Sequence, residues 1–162
     1  MRLKITFYNH ISKFDIFFIA TIGATIFVTI RDIDINSLIT CLIGYSIIDL
    51  FPALYLHFQY YNKNANTIYD LSNKGIEESK NGKETFYDVQ SIEKIKLYIA
   101  PNLYERSALR YFSMENYCFA EVFMKDGTKL ILTSLLTPKL EEAIKVLEIS
   151  YERKRRFFCK LN

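Results

Sequence analysis

Apolar residues follow three patterns along this chain of 162 residues, and each pattern predicts a different kind of element. Near the N-terminus they are continuous: residues 16–30 carry no charge, and residues 38–61 carry only Asp49. A seven-residue polar link, 31–37, separates the two runs. Beyond Asn62 the runs become short and are punctuated by turn residues, which predicts strands. Past Thr137 apolar positions recur at helical spacing.

The two continuous runs predict a transmembrane helical hairpin over residues 14–61. A spanning helix needs about 20 residues to cross about 30 Å of hydrocarbon. Residues 38–58 meet that length, interrupted by Asp49 and Pro52; the first run meets it only with Phe14 and Asp15 drawn in. A cleaved signal peptide does not fit, because Arg31 and Asp32 follow the first run where small residues would be needed. Arg2, Lys4 and Lys13 precede the hairpin and Lys63 follows it, so both termini are expected on the cytoplasmic side of the inner membrane. Tyr55, His57, Tyr60 and Tyr61 would form the inner aromatic belt. A carboxylate within a bilayer needs a partner. For Asp49 the expected one is Thr21 or Thr25 across the hairpin, where Ala20, Gly23, Ala24 and Gly44 permit close approach. The functional alternative for Asp49 is a contact with a membrane partner, or an ion site. Pro52 is expected to kink its helix.

Strands are expected over 67–71, 76–80, 84–87, 91–99, 109–112, 117–124 and 129–135. Asn81-Gly82 and Asp126-Gly127 are two-residue hairpin signals between them. Thr137 and Pro138 then supply an N-cap and a first-turn proline. Leu140, Ala143, Ile144, Leu147 and Tyr151 form an apolar stripe that predicts a final helix. Its end would carry Arg153, Lys154, Arg155 and Arg156, where cations suit the helix dipole.

About seven short strands and one C-terminal amphipathic helix make an α+β fold, in which the helix plugs the open end of a bent antiparallel sheet. Residues 68–76, 87–95 and 125–132 carry a resemblance to the pleckstrin-homology-like (PH-like) superfold, in particular to bacterial PH-like domains that follow one or two membrane helices. The resemblance covers most of 66–158. With the apolar runs and charge asymmetry above, it gives the expected organisation: a cytoplasmic N-terminal segment 1–13, the transmembrane hairpin 14–61 and a cytoplasmic PH-like domain 62–162 with a basic tail. It transfers a fold more than an activity, because this fold hosts many functions. Phosphoinositide-binding members of the superfold use a basic motif around the first β-hairpin. Here Lys74, Lys80 and Lys83 stand among Glu77, Glu78 and Glu84 without an arginine, a departure from that motif.

Composition narrows the chemistry. The net charge of +3 arises entirely beyond Asn62 and is too small to favour nucleic acid as a partner. Five glycines and no Gly-rich motif leave no phosphate-cradling loop. Cys41, Cys118 and Cys159 are too scattered for a disulfide framework or a metal cluster. His10 and His57, the two histidines, lack the spacing of a metal or acid–base pair. No catalytic residue, metal, cofactor or small-molecule substrate is expected. The expectation is a non-enzymatic inner-membrane protein whose PH-like domain binds a protein partner, its own copies or anionic membrane lipid. Arg153, Lys154, Arg155 and Arg156, followed by Phe157 and Phe158, are the candidate lipid-surface cluster. Tyr104, Arg106, Arg110 and Tyr111 are a candidate partner surface, and pairing of a partner segment at a sheet edge is a further route. Two alternatives place function in the hairpin: an immunity protein against a membrane-targeting toxin, and an accessory subunit of a transporter or channel.

Overall fold

The computed structural model describes residues 1–31, 34–105 and 110–161. Its strands are β1 (Arg2–Leu3), β2 (Thr67–Ser72), β3 (Gly75–Lys80), β4 (Lys83–Asp88), β5 (Ile92–Ile99), β6 (Phe119–Met124), β7 (Lys129–Thr133) and β8 (Tyr151–Arg155). Its helices are α1 (Phe7–Ile11), α2 (Asp15–Ile30), α3 (Ile35–Tyr45), α4 (Phe51–Asn64), α5 (Pro101–Tyr104) and α6 (Leu140–Lys145). A π-helical turn, Ser46–Leu50, joins α3 to α4, so that Ile35–Asn64 is one continuous helix.

The strands divide into two four-stranded sheets, not one bent sheet of about seven, in the orders β1-β2-β3-β4 and β7-β6-β5-β8. Asn81 and Gly82, at φ 52° and 79°, make the tight turn that pairs Lys80 with Lys83. Left-handed backbone at both central positions is what a hairpin of this twist requires. Gly75 is needed for space as well, since a Cβ there would lie 2.1 Å from the Tyr87 carbonyl oxygen.

Around β6 and β7 the second sheet is covered on both faces, so these strands are nearly unbroken apolar runs, whereas the outer face of β5 leaves Glu93 and Lys94 exposed and the strand alternates. Ala120, Val122, Leu130 and Leu132 join Leu71 and Ile76 of the first sheet and Leu140, Ala143 and Ile144 of α6 in one core. Phe119 and Ile131 face the other way, onto Ala53, Leu56 and Tyr60 of α4. β1 completes the first sheet, with Arg2 opposite Asp70 and Leu3 opposite Tyr69, and Leu3 is buried.

Three expected elements differ. The final helix ends at Lys145, and Glu148 turns the chain with φ 56°. Residues Tyr151–Arg155 then pair in parallel with β5, which gives the sheet edge its missing hydrogen-bond partners. The basic cluster therefore lies on and just beyond a strand, not at the end of α6, and Arg153 instead reaches the end of α5, donating to the Leu103 carbonyl at 3.3 Å. No strand forms over 110–112, where the Glu115 carboxylate takes the Tyr111 and Phe112 amides at 2.7 and 3.3 Å and a 3₁₀ turn, Ser113–Asn116, follows. Leu109 lies outside the described residues.

The hairpin also differs. By length and composition one helix, Ile35–Asn64, suffices to cross a membrane, at about 45 Å. Asp15–Ile30 is a shorter apolar helix of about 24 Å. No residue of α2 or α3 is buried, whereas α4 belongs to the sheet core. Tyr60 accordingly leaves the expected aromatic belt: it is fully buried and donates to the Cys159 carbonyl at 2.6 Å.

Candidate functional site at the base of the hairpin

A polar joint fixes the hairpin to the second sheet. In the π turn the Phe51 amide donates to the Ser46 carbonyl, one residue further back than in an α-helix, and Pro52 follows in the first turn of α4. The wide turn carries Asp49, which is fully buried. Asp49 accepts from the Ser113 amide at 2.6 Å and from the Ser113 hydroxyl at 2.8 Å. Its partner is thus not a threonine across the hairpin; Thr25 donates to the Thr21 carbonyl within its own helix. Ser113 Oγ also accepts from the Phe17 amide at 3.2 Å, so one serine holds both limbs.

Asn116 repeats this arrangement beside it. Its side-chain amide donates to the Lys13 carbonyl at 3.1 Å and to Asp15 at 2.7 Å. Lys13 Nζ returns a bond to the Asn116 carbonyl at 2.9 Å. Arg110 donates to the Asn116 side chain and lies 3.9 Å from Asp15. Burial lowers the Lys13 pKa from the usual 10.5 to about 8, against the opposing pull of the Asp15 carboxylate. Glu115, also buried, accepts from Asn102 at 2.9 Å and thereby closes the loop that carries this seat.

Below the joint the two histidines meet, although 47 residues separate them in sequence. His10 Nδ1 lies 2.8 Å from His57 Nε2, and His57 Nδ1 lies 3.0 Å from the Tyr117 hydroxyl. In the His10–His57 contact one ring nitrogen must donate and the other accept, so the pair holds at most one positive charge without breaking. Among the described residues no group of three His, Cys, Asp or Glu is arranged to hold a metal. α1 reaches this place because Asn9 donates to the Leu135 and Leu136 carbonyls at 2.9 and 3.0 Å.

The other candidates lie apart. Arg153 stands 3.5 Å from Glu141 and its guanidinium covers the Tyr104 ring at 4.9 Å. Lys154 pairs with Glu152, Arg155 with Glu105 at 3.3 Å, and Arg156 covers Tyr98 and Phe119. Tyr111 is exposed, Arg110 serves the joint, and Arg106 lies outside the described residues. β8 pairs along β5, so that edge of β5 is taken within the chain. A cleft of about 370 Å³ between β5 and α6 is lined by Leu97, Leu103, Cys118 and Leu140, and burial pushes the Cys118 thiol up. Burial likewise pushes Cys159 up to about 12.

Ser113, Asn116, Glu115 and the histidine pair escaped the sequence reading. The one available signal was Asp49 itself, a lone acid in an apolar run that needed a partner somewhere.

A family model described as a PH domain matches residues 4–143, a span that runs through the hairpin and β2 to β7 and ends within α6. No curated protein and no solved structure matches the chain. Since that match takes in most of the chain, including the joint that ties hairpin to sheets, the chain belongs to the PH domain family.

Proposed function

We propose that this is a non-enzymatic, membrane-held PH-domain protein. Its hairpin enters a bilayer, and the sheets clamped to the hairpin's base bind a protein partner, a second copy or anionic lipid at the membrane surface. The carrying observation is the bare hairpin: Phe18, Ile22, Ile26, Ile39, Ile43 and Ile47 are all exposed, and nothing in α2 or α3 is buried. A water-exposed apolar surface of that extent is unstable unless something covers it. The limbs above the joint measure about 24 Å each, short of about 30 Å of hydrocarbon. The second limb regains the difference because its exposed apolar face continues through Phe51, Leu54 and Phe58 of α4. Support for a binding role without catalysis comes from the side chains themselves: the histidines engage each other and the Cys118 and Cys159 thiols are held protonated by burial.

Alkaline carbonate extraction of membranes from cells expressing the full chain tests the reading. The full chain should stay in the pellet, and a variant with residues 16–48 replaced by a short Gly/Ser linker should move to the supernatant. Complete release of the full chain would overturn the proposal.

A further inference from the structure

We infer that the groove between α1 and α4 is a site for one phospholipid of the surrounding bilayer, its acyl chain along α4 and its phosphate at Lys4. The inference rests on the membrane-held reading above. Two cavities adjoin at this place and share His10 and Tyr61 as walls. One, of about 430 Å³, is otherwise lined by Leu54, His57 and Phe58. The other, of about 420 Å³, includes Lys4, Asn64, Asn66 and Thr67 in its lining and no carboxylate. An apolar compartment beside a polar one with a single cation matches a molecule that has an acyl chain joined to a phosphate.

Asn64 adds an independent mark. It is fully buried; its Nδ2 donates to the Ile131 carbonyl at 3.0 Å, while its Oδ1 has no hydrogen-bond partner among the described residues. A buried acceptor left open costs stability until a donor fills it.

The bilayer as source follows from continuity. Ile43, Ile47, Phe51, Leu54, Phe58 and Tyr61 are all exposed and recur every three or four residues, on one face of the unbroken helix. The opposite face, with Ala53, Leu56 and Tyr60, is sealed against the sheets. A lipid chain lying along the hairpin therefore reaches the groove without crossing polar surface. α1 borders the entrance with exposed Phe7, Tyr8 and Ile11.

The test uses the full chain in nanodiscs of phosphatidylethanolamine and phosphatidylglycerol in equal parts, transferred to mild detergent and weighed by native mass spectrometry. Wild type should retain one phosphatidylglycerol per chain. Lys4→Ala should weaken retention about fivefold, the effect of one cation beside an anionic headgroup. Phe58→Asn should weaken it comparably, and Lys83→Ala, on the distant β3–β4 turn, should match wild type. Equal retention by all four proteins, or a lipid-free dimer in place of the lipid-bound monomer, would overturn the site. Release of the lipid by inorganic phosphate alone would overturn the acyl-chain assignment. A lipid-free chain that still resists carbonate overturns the groove and leaves the membrane reading standing; a chain that never enters the nanodisc ends both.

Discussion

The continuous helix from Ile35 to Asn64 passes through two environments, and its halves are a natural comparison. Above the π turn, α3 has exposed isoleucines at 39 and 43 and no buried residue. Below it, α4 buries Ala53, Leu56, Tyr60 and Asn64 on one face against Tyr117, Phe119, Ile131 and Leu135. The apolar run continues from α3 through the π turn into the first turns of α4, so hydropathy alone does not separate the two halves. Hydropathy thus measures how much surface favours leaving water. What covers that surface is decided by a matching face elsewhere in the chain, and here α4 has one and α3 has none. Asp49 marks the boundary, the last point at which the helix is held by hydrogen bonds to the 3₁₀ turn.

The sharpest way to break the comparison is to truncate equivalent apolar side chains on either side of that boundary. Tyr60→Ala should cost about 3–5 kcal/mol and Leu56→Ala about 2–5 kcal/mol, as buried positions do. Ile39→Ala and Ile43→Ala should each shift stability by less than about 0.5 kcal/mol in micelles. Chemical unfolding of the detergent-solubilised chain reads all four, and equal costs would erase the distinction.

Lys13 probes the joint itself. The folded protein releases this proton near pH 8, while the unfolded chain holds it to about 10.5. Between those values the unfolded state binds more protons, so this group's contribution to stability rises with pH and is lost again as pH falls through 8. The difference between wild type and Lys13→Met should therefore grow in favour of wild type by on the order of 3 kcal/mol from pH 8 to 10.5. A flat difference curve from paired denaturation series would place Lys13 in water. Smaller again is the contrast between two polar groups of the hairpin. Asp49→Ala strands both Ser113 donors and should cost about 2 kcal/mol with faster hydrogen exchange at the Ser113 amide. Thr25→Val should stay within about 0.5 kcal/mol, because it removes a bond internal to an exposed helix turn.

What was legible in the sequence was local. Asn81-Gly82 and Asp126-Gly127 each join antiparallel neighbours, and the alternation of Ile92, Ile95, Leu97 and Ile99 gives the buried face of β5. The apolar stripe Leu140, Ala143, Ile144 and Leu147 is buried as a set, although the helix under it is short. The illegible part was pairing at a distance. Ser113 is 64 residues from Asp49, and nothing in a serine between Phe112 and Met114 announces an acid on another element. β8 was hidden for another reason: Tyr-Glu-Arg-Lys-Arg has the charge of a solvated helix end, and only the open edge of β5 makes it a strand. β1, with two residues, carries no period to read.

The β1–β2 ladder has a consequence for parity. Leu3 lies before the hairpin and Tyr69 after it, yet they face each other in one sheet, and Asp15 and Asp49 are fastened to the same short turn. A loop that leaves a body and returns to it crosses any intervening boundary an even number of times. If the hairpin enters a bilayer as proposed, a lone crossing by Ile35–Asn64 would part Leu3 from Tyr69, and the two limbs would have to cross together or dip in and return together. The choice falls to its tip, where Arg31 and the helix-capping Asp34 would each cost a few kcal/mol if left in hydrocarbon. On that reading two crossings would release these charges to the far side. The two-residue strand β1 is then a lock on topology: it can pair with β2 only after the hairpin between them has gone out and come home.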